Sequence, residues 1–346
     1  MSLFVVAMQD YYEILKSLKA KSFSPVYFLQ GEETYFIDSI IKEIAHSALE
    51  ESQKSFNQLV LYGKDTTLTD VIGAARKYPM TGERQVVIVK EAQEIKEWNT
   101  KDKENLILNY LENPLRSTIL VFGYKHKSLN RRTKLGKAFE KHAVFLNAKK
   151  IYDNNIPDWI RSYCQANAVQ IEEQAVMILS ENIGNNLQRL SNEIEKLILN
   201  IKEEKQITSK MVQEYIGISK DYNIFELQKA LSAANKRKAF KIAGYFASNP
   251  GNNPIVFIIS KLFSYFTKLL MIHQSTDKSD RNIAGLIGVN PFFVKEYLAA
   301  SGNYPINKVM QNIKHLHEAD LQFKGIGYAT KKERSILTEL IYKITN

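Results

Sequence analysis

The chain has 346 residues, of which 45% are hydrophobic and 24% are charged, and its formal net charge is +10. This length suits two or three domains, and the apolar content excludes a disordered chain. No apolar run approaches the roughly 20 residues that span a bilayer, so we expect no membrane segment. Cys164 is the single cysteine, which excludes a disulfide framework and a cysteine-based zinc site.

The first eight residues are apolar, lack a basic flank and lead directly into helical sequence. This pattern is not that of a signal peptide, so we expect a cytoplasmic protein. The six histidines are scattered along the chain. His315 and His317 are two positions apart on a predicted helix and therefore point to different sides, so we expect no metal site.

Five β-rich segments alternate with helical patterns up to about residue 147. The segments are nearly continuous apolar runs, and Gly31 and Gly63 follow the first two. Buried strands separated by helices predict a parallel sheet that is covered on both faces, in other words a doubly wound α/β domain. The predicted strands are residues 25–29, 59–62, 86–89, 118–122 and 143–146.

After residue 150 the β-rich segments end and the pattern becomes helical. Residues 187, 190, 194 and 197 are Leu, Leu, Ile and Leu, an apolar stripe on one helix face, and residues 184–186 supply its turn and cap. Residues 217–222 then indicate a boundary. We therefore predict an α/β domain over 1–147, a small helical domain over 148–218 and a larger helical domain over 219–346.

An α/β domain followed by a small helical domain is typical of an ATPase, which would carry G-x-x-x-x-G-K-[ST] after the first strand to hold phosphates and Mg²⁺. Residues 30–38 (QGEETYFID) keep Gly31 but lack the second glycine, the lysine and the Ser or Thr. Glu32 and Glu33 would place negative charge against the phosphates. They are better explained as complements to the dipole of the next helix.

The acid that orients Mg²⁺ is also missing. An active ATPase needs Asp at the end of the third strand, where this chain has Lys90 and Glu91. Lys90 would repel a cation, and Glu91 has no phosphate loop to work with. We therefore predict no nucleotide cofactor and no ATP hydrolysis, and a function that depends on binding partners.

Much of the positive charge lies between residues 124 and 150, where nine basic residues accompany a single acid, Glu140. A solvated helix face explains such a run as well as a surface for nucleic acid or an acidic partner. The basic residues are Lys125, Lys127, Arg131, Arg132, Lys134, Lys137, Lys141, Lys149 and Lys150.

Six motifs, in order along almost the whole chain, resemble the delta subunit of the bacterial DNA polymerase III clamp loader. Each motif is short, and it is their order over the full length that is specific. They are residues 25–33 (PVYFLQGEE), 79–87 (PMTGERQVV), 128–135 (SLNRRTKL), 184–187 (GNNL) with 192–197 (NEIEKL), 225–227 (FEL), and 318–320 (EAD) with 324–325 (KG).

The resemblance implies an AAA+-like first domain, a small helical lid and a helical collar. In this family the collar joins the motor subunits, tau or gamma, and the delta-prime subunit. The delta subunit itself hydrolyses no ATP. It opens the ring of the sliding clamp, the beta subunit, so that the assembled complex can place the ring on primed DNA. The holoenzyme is a DNA-directed DNA polymerase, a nucleotidyltransferase.

The resemblance also implies a clamp contact. In the family it is a pair of apolar residues at the end of the helix before the third strand, and this place falls on Met80 and Thr81. Pro79 ends the helix and turns the next side chains outward, and a flexible Met suits an irregular pocket. An aromatic residue is common where this chain has Thr81, and Tyr78 can supply the missing area. The alternative is that Met80 packs its loop onto the core.

Two other functions remain open. One is a DNA-binding replication initiator or a protein similar to a helicase loader, which the net charge allows. Against it, the last domain has no helix-turn-helix signature and no run of aromatic and basic residues suited to single strands. The other is a phosphotransferase with an unusual nucleotide pocket, which the missing Lys, Ser/Thr and Asp disfavour.

Overall fold

The structure, a computed structural model, describes residues 3–98, 100–201, 206–216, 222–251, 253–327 and 332–346. The chain divides into two compact units, Met1–Tyr152 and Asp153–Asn346. Each unit contains its own buried apolar cluster. Most of the boundary predicted at 217–222, including the step from 218 to 219, lies outside the described residues, so the division into three domains stays a prediction.

The first unit contains a five-stranded parallel sheet in the order β2-β3-β4-β1-β5. All five predicted strands are confirmed, with small shifts at their ends. Phe28, on the strand between β4 and β5, pairs with Phe122 on one side and with Phe145 on the other. The strands are Val26–Gly31 (β1), Gln58–Tyr62 (β2), Gln85–Lys90 (β3), Thr118–Lys125 (β4) and Val144–Ala148 (β5).

Helices pack on both faces of this sheet, as a doubly wound fold requires. They are Leu3–Lys19 (α1), Thr34–Ser47 (α2), Glu51–Asn57 (α3), Leu68–Ala75 (α4), Lys101–Glu112 (α5) and Lys134–His142 (α6). Apolar residues of α4, α5 and α6 form one cluster with Phe28, which stacks on Phe139 with a ring distance of 4.1 Å. On the other face α1 meets α2, where the rings of Tyr11 and Phe36 are 4.5 Å apart.

The prediction that every strand is buried is wrong for β2. It lies at the edge of the sheet, and its Leu59, Val60 and Tyr62 are exposed, whereas β1, β3 and β4 are buried almost throughout. An apolar run indicates a strand but does not tell a central strand from an edge strand, because both use the same β-prone residues.

The second unit begins with four helices and a small sheet. The prediction that strands end at residue 150 is wrong, because Gln170–Ile171 (β6) and Gln206–Ile207 (β7) form a parallel pair. The predicted cap of the amphipathic helix is confirmed, since Asn186 accepts a hydrogen bond from the Arg189 amide at 3.0 Å. The helices are Ile156–Ala166 (α7), Glu173–Ile183 (α8), Leu187–Leu199 (α9) and Ser209–Ile216 (α10).

The rest of the second unit is helical wherever it is described, and its apolar side chains form a single cluster from Ile224 to Ile344. The helices are Ile224–Ser232 (α11), Lys236–Ser248 (α12), Ile255–Gln274 (α13), Asp280–Ile287 (α14), Pro291–Asn303 (α15), Ile306–Phe323 (α16) and Glu333–Thr345 (α17). The α/β and all-α fold class predicted from the sequence is therefore confirmed.

The expectation that no apolar segment is long enough to span a membrane does not hold for the helix α13. It has 20 residues and is the one helix among the described residues that could cross a membrane by length and composition. Lys261 and Lys268 interrupt its apolar sequence, which hid the pattern. Its apolar side chains, such as Leu262, Phe266 and Leu269, are buried in the cluster of this unit, so the packing of the unit accounts for them.

Candidate functional site

The segment that would be a phosphate loop begins at Gly31, the last residue of β1. Its φ is +131°, and a Cβ atom on this residue would lie 2.0 Å from the carbonyl oxygen of Ala148 on β5. Only glycine fits such a close approach between two backbones. The Glu33 amide then donates to the same oxygen at 3.1 Å. Strand packing therefore explains Gly31 without any phosphate.

Glu33 is the N-cap of α2, and its carboxylate accepts a hydrogen bond from the Tyr35 amide at 3.4 Å. Burial raises the pKa of this carboxyl group, against the smaller opposing effect of the hydrogen bond from Tyr35. The interpretation of this acid as a partner of the helix start is confirmed for Glu33. A carboxylate that caps the helix holds the place that a phosphate group would need.

Three charged side chains meet where the carboxyl ends of the central strands converge. The Lys125 ammonium at the end of β4 lies 2.8 Å from Asp38 Oδ1 on α2 and 3.1 Å from Glu91 Oε1 after β3. We call this group the ion triad. Gln93 supports it by donating to Glu91 at 2.6 Å and accepting from the Lys125 amide at 2.8 Å.

The ion triad favours the charged forms of Lys125 and Glu91. Burial lowers the pKa of Lys125, but the bonds to Asp38 and Glu91 outweigh this effect and raise it overall. Burial raises the pKa of Glu91, and the hydrogen bonds from Gln93 and Lys125 lower it overall. The ion-pair partner of Glu91 is a contact that the sequence does not reveal. Glu91 binds a lysine where an ATPase carboxylate would orient Mg²⁺.

The structure separates Lys125 from the other residues of the predicted basic surface. Its side chain is only 14% exposed and is held in the ion triad. Lys127, Arg131, Arg132 and Lys134 are exposed around the start of α6. Of these, Arg131 pairs with Glu140 and lies 5.8 Å from the ring of Phe145, and Lys127 lies 3.8 Å from Glu94.

The predicted clamp-contact residues lie on the loop between α4 and β3. Tyr78 and Met80 are 75% and 77% exposed, so neither side chain fills a core position. The start of this loop is fixed by the buried Gln85, whose side-chain amide donates to the Lys77 carbonyl and to Thr118 Oγ1, the latter at 2.8 Å. We call residues 78–81 the Met80 loop.

The Met80 loop is also fixed by Asn57, the last residue of α3, which no sequence motif singled out. Asn57 Oδ1 accepts from the Met80 amide at 2.8 Å, and Asn57 Nδ2 donates to the Thr81 carbonyl. The side chain is 4% exposed. Buried amides of this kind hold backbone groups in one geometry. The loop therefore presents Tyr78 and Met80 to solvent from a fixed backbone.

No metal centre is formed within the described residues, where we find no group of three or more His, Cys, Asp or Glu side chains that could hold an ion. Cys164 is buried, and burial raises its pKa to about 12, so the thiol is protonated at neutral pH.

Comparison with known families and proteins agrees with the order of motifs along the chain. The family model for the DNA polymerase III delta subunit matches residues 27–149, and the model for the C-terminal domain of the same subunit matches residues 221–342. Together they cover well over half of the chain. The chain belongs to the DNA polymerase III delta subunit family. The resemblance found in the sequence is therefore confirmed.

Individual delta subunits match over most of their length. DNA polymerase III subunit delta of Bacillus subtilis is 25% identical over 335 residues, which is 95% of each chain. The probable delta subunit of Aquifex aeolicus is 24% identical and covers 84% of each chain. The solved structure of the Bacillus subtilis DNA clamp loader delta protein has a TM-score of 0.58 at 24% identity, covering 97% of this chain and 99% of that one. The latter similarity supports the fold.

Proposed function

We propose that this delta subunit binds the sliding clamp, the beta subunit, through Tyr78, Met80 and Thr81 and opens the ring for loading on primed DNA. The observation that carries the proposal is the Met80 loop, which exposes two large apolar side chains on a backbone that Asn57 holds at Met80 and Thr81 and that Gln85 holds just before it at Lys77. An anchor fixed in advance loses little conformational entropy when it enters a pocket.

The proposed role requires no ATP hydrolysis by this chain. Gly31 serves strand packing, Glu33 caps a helix and Glu91 pairs with Lys125, so each of these positions has a structural function. These contacts support a subunit whose ATP-dependent steps are supplied by the tau or gamma motor subunits. They disfavour a phosphotransferase, which would need these positions for nucleotide and Mg²⁺.

We propose the domain division 1–147, 148–218 and 219–346, with an AAA+-like domain, a lid and a collar. The short sheet of β6 and β7 lies within the lid, and the apolar cluster from Ile224 to Ile344 lies within the collar, which supports the division. In this proposal the collar joins the motor and delta-prime subunits, and the complex works in the cytoplasm.

Binding to the sliding clamp of the same organism, measured without ATP, tests the proposed function. Met80→Ala should weaken the affinity by at least about 1 kcal/mol, the usual minimum for an interface anchor. The fold should be unaffected because the side chain is exposed. Titration calorimetry provides the affinity, and thermal unfolding provides the control. If Met80→Ala binds the clamp with the affinity of the wild type, Met80 is not the main contact, and Tyr78→Ala is the next variant to measure.

We propose that Arg131, Arg132 and Lys134, with Lys127, contact the DNA backbone in the assembled complex. Lys134 is the first residue of α6, where a cation gains nothing from the helix dipole. A phosphate group at this helix start would be attracted both by the dipole and by the basic side chains. This placement favours an anion-binding role over a purely solvated helix face.

Charge reversal tests this basic surface. The double variant Arg131→Glu and Arg132→Glu should reduce the slope of log affinity against log salt by about 0.9 for each DNA phosphate that the variant no longer neutralises. The measurement is fluorescence anisotropy of primed DNA with the assembled loader. Lys16→Glu with Lys19→Glu, on the exposed side of α1, makes the same change in net charge and should leave the slope unchanged. If both pairs of substitutions reduce the slope equally, the basic residues between 124 and 150 are a solvated surface and not a DNA contact.

A further inference from the structure

Thr81 is exposed, but its side chain offers only one methyl group as an apolar contact. Its Oγ1 atom lies 3.3 Å from Asn57 Nδ2, and its carbonyl oxygen accepts from the same amide. Thr81 therefore serves to fix the Met80 loop. Tyr78 can supply a second large side chain beside Met80, and a wider clamp pocket would need a further residue.

The helix α3 packs beside the Met80 loop. Gln53 and Asn57 are one turn apart on this helix and face the same stretch of chain. Asn57 bonds to Met80 and Thr81. Gln53 lies against Gly82, the residue after the loop, where a Cβ atom would be 2.6 Å from Gln53 Nε2. Residues that are three or four positions apart share a helix face. Phe56, three residues after Gln53 and directly before Asn57, therefore borders the same face.

Phe56 reverses the usual relation between polarity and burial. In the seven-residue helix α3 (ESQKSFN) Asn57 is the buried residue, whereas Phe56, its one apolar side chain, is 60% exposed. A phenyl ring that is mostly in water gains only part of the roughly 1.5–3 kcal/mol that full burial of such a side chain provides. The packing of α3 on its own unit therefore does not account for Phe56, and a partner that covers the Met80 loop would account for it.

We infer that Phe56 is a second anchor for the sliding clamp, covered together with Met80 in one apolar contact. The inference rests on the proposed clamp binding and extends it from the loop to α3. Asn57 joins the two anchors, since it follows Phe56 in the chain and bonds to the Met80 amide. Phe56 adds an aromatic ring to the one that Tyr78 offers, and the resulting surface suits a clamp pocket that covers both the Met80 loop and α3.

Clamp titration of the full-length chain tests the second anchor. Phe56→Ala should lower the affinity about tenfold, and Phe56→Tyr should restore most of it, because a tyrosine ring covers the same area. The matched control is Phe292→Ala, which removes a 68% exposed phenyl ring in the second unit and should leave clamp affinity unchanged. Thermal unfolding of Phe56→Ala should match that of the wild type.

Different outcomes would refute the second anchor and the proposed function. If the wild type binds and Met80→Ala weakens binding while Phe56→Ala does not, the second anchor is refuted and clamp binding stands. If the wild type fails to bind, alone or with the other loader subunits and ATP, the proposed function fails and the second anchor with it. Sedimentation of the chain alone, if it shows self-association that Phe56→Ala abolishes, would assign Phe56 to a second copy of the chain and overturn the inference.

Discussion

Gly31→Ala should destabilise the first unit by roughly 2–6 kcal/mol, the combined range for overpacking and for a strained backbone. The new methyl group would meet the carbonyl oxygen of Ala148 at 2.0 Å and its amide nitrogen at 2.8 Å. These are backbone atoms of β5, so they cannot move aside without disturbing the pairing of β1 with β5. The φ of +131° is a further cost, because L side chains rarely adopt it.

Urea unfolding without nucleotide measures this loss of stability. Gly73→Ala is the matched control, since Gly73 lies in α4 with open space around its Cβ position, and the variant should gain up to about 1 kcal/mol. If Gly31→Ala were as stable as the wild type, the approach of Gly31 to Ala148 would not require glycine. Another reason for the glycine would then have to be found.

Asn57→Ala should lower the free energy of unfolding by about 1–3 kcal/mol and weaken clamp binding as well. The substitution leaves the Met80 amide and the Thr81 carbonyl without the partner that holds them. Both hydrogen bonds are part-buried, and the loss reaches this range where water does not replace the missing partner. The affinity falls for a different reason, because a loosened loop has to be ordered again on binding.

The two measurements on Asn57→Ala, unfolding in urea and clamp titration, are best taken on the same preparation. Asn185→Ala, in the exposed turn between α8 and α9, removes an equal side chain and should change neither quantity. Clamp affinity of Asn57→Ala equal to the wild-type value would mean that the Met80 loop finds its bound geometry without help from α3.

The strands and the stripe on α9 were predictable because burial dictates both patterns. A central strand such as β4 needs a continuous apolar run, and the cap at Asn186 follows from local backbone chemistry. The pair β6 and β7 was not predictable, since two residues per strand leave no periodicity to detect. Family resemblance predicts Met80 at the end of the helix before β3, but α4 ends at Ala75, so Pro79 does not end the helix and Met80 lies in the loop that follows.

The contacts that shape the candidate site were beyond sequence reasoning. Asn57 reaches Met80 across 23 residues, and Lys125 reaches Asp38 from a different element of the fold. No spacing pattern in the sequence identifies the distant partner of an asparagine or a lysine side chain. Lys125 was grouped with the basic surface because local charge alone cannot show whether a side chain points outward or toward two carboxylates.

The ion triad has a consequence for how this subunit responds to its surroundings. Lys125 is a cation tethered to the chain, so its effective concentration beside Asp38 and Glu91 is set by the fold. A diffusible ion or nucleotide would stabilise its site only in proportion to its supply. The polypeptide itself therefore supplies the cation that balances Asp38 and Glu91. The domain that carries the Met80 loop does not depend on changing concentrations of ATP and Mg²⁺ for this charge balance.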